Sequence, residues 1–275
     1  MPRAVILTTA SKNNATGGTF VDSLAANSGD SLGIANFTAG GARIIEAWGI
    51  DSDHTAELQL IYSRGHDQLH GVRFGLPALT PGGAGTVAAV DLLPGYMTLP
   101  VYSGDTATIQ ATCTAADDLI FSYLIEYDDM PGVDARFASW AQVQAMSRSL
   151  VGIQVTAVAS ATEGTYGTAR AFNADDDRLH ADTYYALLGA TVRTPVTTIT
   201  LISPDWGGQR IGLPAGVSHL NPGSWFVDQS IKWNKPLIPI IAANNKTNIL
   251  VQVCDGEAST SPAIDFLLAE LTGRP

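Results

Sequence analysis

Five histidines, His54, His66, His70, His180 and His219, are the first side chains of this 275-residue sequence to test for chemistry. His66 and His70, in "HDQLH", stand at the i, i+4 spacing that lets two imidazoles share a zinc ion on one helical face. The glutamate that a zinc protease needs after its first histidine is replaced by Asp67, and Gly65 and Gly71 bracket the segment. It therefore reads as a solvated connection between strands. "NADDDRLHAD", Asn173–Asp182, gathers four aspartates, and Asp175, Asp176 and Asp177 are candidate calcium ligands because carboxylate oxygens suit that hard cation. The run lacks the alternating ligands, sixth-position glycine and closing glutamate of an EF-hand, so an exposed acidic loop is the competing reading. "YDDMPGVD", Tyr127–Asp134, is a further acidic stretch, read as a turn between domains.

Aromatic side chains offer a second chemistry, stacking on sugar rings. Of Trp48, Trp140, Trp206, Trp225 and Trp233, Trp206 stands in the turn "PDWGG", where an indole would be exposed, and Trp225 follows the turn "NPGS". A lectin-like site at Trp206 or Trp225 competes with packing or subunit contact. There is no GxxxxGK phosphate loop and no CxxC pair. The sequons at Asn14, Asn36 and Asn245 read as incidental, because no signal-peptide pattern precedes them. The expectation is a protein that is not an enzyme and needs no cofactor.

The elements that would position these residues are strands. "AELQLIYS" (Ala56–Ser63), "TTITLIS" (Thr197–Ser203) and "TNILVQVC" (Thr247–Cys254) are short, rich in β-branched residues and partly alternating. Turn formers separate them: "TPGGAG" at Thr80–Gly85, "YSGD" at Tyr102–Asp105, "DWGG" at Asp205–Gly208 and "NPGS" at Asn221–Ser224. One segment departs from this pattern. "VDARFASWAQVQAMS", Val133–Ser147, contains no Gly or Pro, offers Asp134 as a cap, and places Phe137, Trp140, Ala141 and Gln144 along one helical face.

The chain also repeats itself. "RFGLPA" at Arg73–Ala78 returns as "RIGLPA" at Arg210–Ala215, 137 positions on. In the same order, "ATGGTF" (Ala15–Phe20) answers "ATEGTY" (Ala161–Tyr166), and "EAWGI" (Glu46–Ile50) answers "ALLGA" (Ala186–Ala190). "LPV" (Leu99–Val101) matches "IPI" (Ile238–Ile240), and "TATIQATC" matches "TNILVQVC". "LIFSYLIEY" (Leu119–Tyr127) and "AIDFLLAEL" (Ala263–Leu271) close the series, with all offsets between 137 and 146. A period of this size is a duplicated domain, since solenoid repeats run about 20 to 50 residues. Expected boundaries are 1–130 for the first unit, 131–149 for a linker helix and 150–275 for the second unit. About eight strands in about 120 residues describe a jelly roll, so the expected fold is all-β, with tandem duplicated jelly-roll sandwiches joined by a short helix.

Cys113 and Cys254 fall at the same place in both copies and read as reduced thiols on equivalent strands. A bicupin, a duplicated jelly roll with metal sites, would need a His-x-His pair, which is absent, and no histidine recurs at matching positions. The net charge of −11 divides as −9 for residues 1–130 and −2 for 131–275, with no basic run, which argues against direct nucleic-acid binding. Charged residues make up 15% of the chain, against about 25% in ordinary soluble domains, so much neutral surface is available for self-association. No stretch of about 18 apolar residues is present, and a soluble chain that is not exported through a signal peptide is expected.

Through the paired halves "ATGGTF…RFGLPA…TATIQATC" and "ATEGTY…RIGLPA…TNILVQVC", the whole chain resembles the double jelly-roll major capsid proteins of tailless icosahedral double-stranded DNA viruses. This is the adenovirus-like lineage with its compact bacteriophage and archaeal-virus members. The resemblance implies a structural virion protein, made in the host cytoplasm, whose homotrimers present six jelly rolls as a pseudo-hexamer that tiles an icosahedral shell. Its partners would be other copies of itself in a capsid lattice and other virion proteins. Larger members carry long insertions that this chain lacks, which would make it a compact one. The alternatives are a minor, decoration or spike virion protein, and a carbohydrate-binding jelly-roll pair.

Overall fold

A computed structural model describes the backbone of the strands between residues 3 and 128 and most of residues 137–275, the latter with side chains except at 162–165, 193–195, 197–198, 207–210, 214–222 and 254–260. The described residues are mostly strands in antiparallel sheets, with few helices. In the first half the strands are β1 (Arg3–Asn13), β2 (Val21–Asp22), β3 (Ala42–Asp51), β4 (Ala56–Tyr62), β5 (Arg73–Leu76), β6 (Ala88–Asp91), β7 (Leu99–Val101), β8 (Ala107–Cys113) and β9 (Leu119–Asp128). They form one sheet in the order β1-β9-β3-β6, with β7 also paired to β3, and a second in the order β2-β8-β4-β5.

The second half comprises β10 (Phe137–Ala138), α1 (Trp140–Met146), β11 (Ser147–Thr156), β12 (Arg170–Ala171), β13 (Tyr184–Val192), β14 (Thr198–Ile202), β15 (Arg210–Pro214), α2 (Trp225–Trp233), β16 (Ile238–Ala242), β17 (Leu250–Cys254) and β18 (Ala263–Leu271). Its sheets run β10-β16-β13-β18-β11 and β12-β17-β14-β15. With β11 aligned to β1 and β18 to β9, the four-stranded sheets match strand for strand and the larger sheets match over β1-β9-β3-β7 and β11-β18-β13-β16, leaving β6 and β10 without counterparts. "RFGLPA" begins β5 and "RIGLPA" begins β15, each terminal in its four-stranded sheet. Cys113 closes β8 opposite Ala56, the first residue of β4, and Cys254 closes β17 opposite Thr198, the first residue of β14. Pro214, which has no amide hydrogen to donate, ends a terminal strand, where that loss is tolerated.

Period-two burial shows why these segments are strands. In β18, Ile264, Phe266 and Leu268 are buried, while Asp265 and Leu267 reach solvent. In β17, Val251 and Val253 are buried and Gln252 between them is not. The core of the second half lies between its two sheets, with Ile153, Val155 and Phe266 from one and Ile199, Leu201, Leu213 and Val251 from the other. Phe172, just after β12, stacks on Phe266 at 4.9 Å, tying the sheets together. Gly167 permits the closest approach: a Cβ there would collide with the carbonyl oxygen of Val158 on the neighbouring segment.

The helical reading of Val133–Ser147 is corrected. Among the described residues of this segment the helix runs Trp140–Met146, and Phe137 belongs to a two-residue strand paired with β16. Ser139, rather than Asp134, is the cap. Its hydroxyl accepts from the Gln142 amide and the Gln142 side chain accepts from the Ser139 amide, a reciprocal capping box. The buried residue is Val143, while Ala141 and Gln144 are exposed. The chain then enters β11 at Ser147 with extended backbone, so strand pairing ends the helix.

Helix α2 was not expected from the sequence. Trp225, Phe226, Gln229 and Ser230 form its buried face against β13 and β16. Asn234 terminates it in the left-handed region at φ 50°. The buried Ser230 hydroxyl accepts from the Trp140 amide and donates to the Lys235 carbonyl, joining both helices. The "NPGS" turn that precedes α2 is a 3-10 turn at Pro222–Ser224.

Candidate functional site

Polar side chains of the second half line an open depression of about 480 Å³ formed by Gly152, Gln154, Asp175, Asp176, Arg178 and Asp265. Strands β11 and β18 supply its floor, and the loop after β12 supplies its wall. Each carboxylate has its own counterpart. Asp175 accepts from Arg170 at 2.7 Å and from the Thr156 amide at 2.6 Å. Asp176 pairs with Arg178 at 3.0 Å, and Asp265 accepts from Gln154 at 2.8 Å. Asp177 points elsewhere and pairs with Lys246, which also donates to the Leu179 carbonyl.

Asp175, Asp176 and Asp177, the candidate calcium ligands, thus each have a different partner, as an acidic loop would. Consecutive residues project in different directions, and three separate cations hold these three carboxylates apart. Among the described residues, no three His, Cys, Asp or Glu side chains come together as metal ligands. Asp182, the fourth aspartate of the run, exchanges hydrogen bonds with Asn244.

The sugar-binding reading of Trp206 and Trp225 is corrected as well. The turn holding Trp206 is a 3-10 turn, Pro204–Trp206, that folds inward, leaving the indole 1% exposed. Its Nε1–H donates to the Ile240 carbonyl at 3.3 Å. Asp205 anchors this turn by accepting from the Asn245 side chain at 2.7 Å and from the Ala242 amide at 3.4 Å. The same bond engages the Asn245 amide that a sequon would present. Trp225, 2% exposed, is part of the α2 packing face. Neither ring offers a face to a ligand.

A buried carboxylate was missed. Glu270 lies on β18, a central strand, with its side chain 9% exposed. The Arg148 guanidinium and the Ser149 hydroxyl, both from β11, donate to it. Hydrogen bonds from Arg148 and then Ser149 hold the Glu270 carboxyl below its ordinary range, outweighing desolvation, and Glu270 in turn raises Arg148. The sequence signal was an acid inside the apolar run "AIDFLLAEL". The arrangement closes the β11–β18 seam and presents no reactive group to solvent.

Gly29, Ser31 and Gly33 form a Gly-x-Ser-x-Gly pattern, that of a nucleophile elbow. It lies outside the described residues, between β2 and β3. His54, His66, His70, His219, the "TPGGAG" loop and most of "YDDMPGVD" also fall outside them. His180 is exposed, and its backbone amide donates to the Tyr185 hydroxyl. No described helix is long and apolar enough to cross a membrane.

The described fold is thus an all-β arrangement of antiparallel sheets. No protein-family model matches the chain, and no curated protein matches it. Among solved structures, it aligns with the PBSX exported protein XepA over 97% of this chain and 86% of that one, at 11% identity and a TM-score of 0.20. It aligns with the STIV major capsid protein over 100% and 98%, at 9% identity and a TM-score of 0.23. Overlap at that level carries no conclusion about this chain.

Proposed function

We propose that this chain is a structural virion protein, a major capsid protein built from two jelly rolls that assembles as a trimer and tiles a shell. The observation that carries this reading is the recurrence of one strand order in both halves. The matching orders β1-β9-β3 and β11-β18-β13, and β2-β8-β4-β5 and β12-β17-β14-β15, support two jelly rolls of two sheets each. The repeated hexapeptides and both cysteines fall on corresponding strands.

Composition supports assembly. At 15% charged residues, the chain has much uncharged surface, and unequal charges of −9 and −2 suit two similar units that meet different neighbours. In this reading the ion pairs around Asp175, Asp177 and Glu270 are structural, the protein needs no cofactor or catalysis, and its partners are further copies and other virion proteins. Burial of Trp206 and Trp225 removes the residues on which a sugar-binding alternative stood.

Size-exclusion chromatography with light scattering tests the proposal. The expected mass is about three times that of the 28.8 kDa protomer, with a six-lobed outline in negative-stain images. A monodisperse monomer at micromolar concentration and moderate salt would overturn it.

A further inference from the structure

Exposed sheet edges are templates for association, and this chain treats its edges unequally. Strands β2, β10 and β12, each terminal in its sheet, have two residues, too few to template another strand. The long terminal strands are β1, with 11 residues, and β11, with 10. Strand β1 packs against β15, the terminal strand of a sheet in the other half. The counterparts of this pair are β11 and β5. Neither has an element of the other half packed against it to that extent among the described residues.

We propose that β11 of one copy docks against β5 of a second copy of this chain, repeating between chains the β1–β15 contact made within one. The proposal rests on the assembly reading above and names its surface. One end of β11 is already closed, because Asp175 accepts from the Thr156 amide. The rest is open: Ser147, Arg148, Ser149 and Leu150 are all exposed, Leu150 at 66%. Beside them Leu267, 36% exposed, pairs in register with Gly152 on one side and Gly189 on the other, so no neighbouring side chain shields it. Three features therefore coincide on one edge: length, open backbone and exposed leucines.

Both halves are negative, so charge selects only against the most repulsive arrangement. A β11–β5 contact sets a second half, at −2, against a first half, at −9, and keeps two first halves from meeting. The contact is head-to-tail, and if its rotation matches that of the β1–β15 contact it closes a ring in which contacts within and between chains alternate.

The test uses the full chain and three variants. Leu150→Glu puts a charge on the proposed edge at a solvent-exposed position. Gly152→Glu does so at a second position, where a Cβ meets nothing closer than the Phe266 carbonyl oxygen at 4.0 Å. Both are expected to keep the wild-type circular-dichroism spectrum yet shift the mass from trimer to monomer, raising the dissociation constant at least about tenfold, or about 1.4 kcal/mol. In a mixture of Leu150→Cys and Arg73→Cys chains, a short bismaleimide should give covalent dimers, and neither variant alone should match that yield. A wild-type trimer that persists in both glutamate variants, with no cross-link in the mixture, overturns the β11–β5 contact and leaves the assembly reading intact. A monomeric wild type overturns both.

Discussion

The two halves share a strand order but build the connection after their fifth strand differently. Between β5 and β7 the first half places β6, which pairs with β3 from Trp48 to Asp51. Between β15 and β16 the second half places a 3-10 turn and α2, which packs on β13, the counterpart of β3. The residues explain the divergence. "TPGGAGTVAAV" combines Gly and Pro with β-branched residues, whereas "SWFVDQSIKWN" has neither Gly nor Pro, spaces Trp225, Gln229 and Trp233 four apart, and ends on an asparagine suited to a left-handed cap. A sheet framework thus fixes where a connection must begin and end, and leaves its interior to local propensity.

The largest expected effect comes from the inward-folded turn between β14 and β15. Trp206→Ala should destabilise the protein by about 3 to 5 kcal/mol in urea unfolding, as removal of a fully buried aromatic does. An unchanged midpoint would put the indole at the surface and restore a ligand role to that loop.

Next comes the end of α2, the element that most distinguishes the halves. Asn234→Ala should cost about 1 kcal/mol because alanine pays for positive φ, while Asn234→Gly should be close to neutral. Equal losses from both substitutions would show that the cap acts through its side chain, not its backbone.

The smallest effect is electrostatic. The folded-state pKa of Glu270 is lowered, so its contribution is present above the ordinary carboxylate range and disappears as pH falls through the lowered value. Glu270→Gln should therefore lower the unfolding midpoint near pH 7, and the gap to wild type should narrow as pH falls from the ordinary carboxylate range through the lowered value. A gap that is constant with pH would mean packing, not charge, is what the substitution disturbs.

Strand positions were readable where burial alternates along one chain segment. "TNILVQVC" and "AIDFLLAEL" hold β17 and β18 within a few residues of their observed limits. The helix before β11 was readable as helical but placed too wide, because periodicity cannot show that Phe137 and Ala138 are captured by β16 and that pairing with β18 begins at Ser147. The partners of the aspartate run were unreadable for a related reason. Sequence shows three adjacent aspartates, but Arg170 lies five positions before Asp175 and Lys246 lies 69 after Asp177.

By itself the sequence determined the β-rich composition and where many of the strands fall, because period-two patterning and turn residues act over a few neighbours. Tertiary structure alone decided which groups would meet. Trp206 became a core residue because the Ile240 carbonyl, 34 positions away, accepts its indole N–H, and Glu270 became the partner of Arg148 across 122 positions because β11 and β18 are neighbours. Such pairings depend on sheet order, a long-range property that no local pattern encodes.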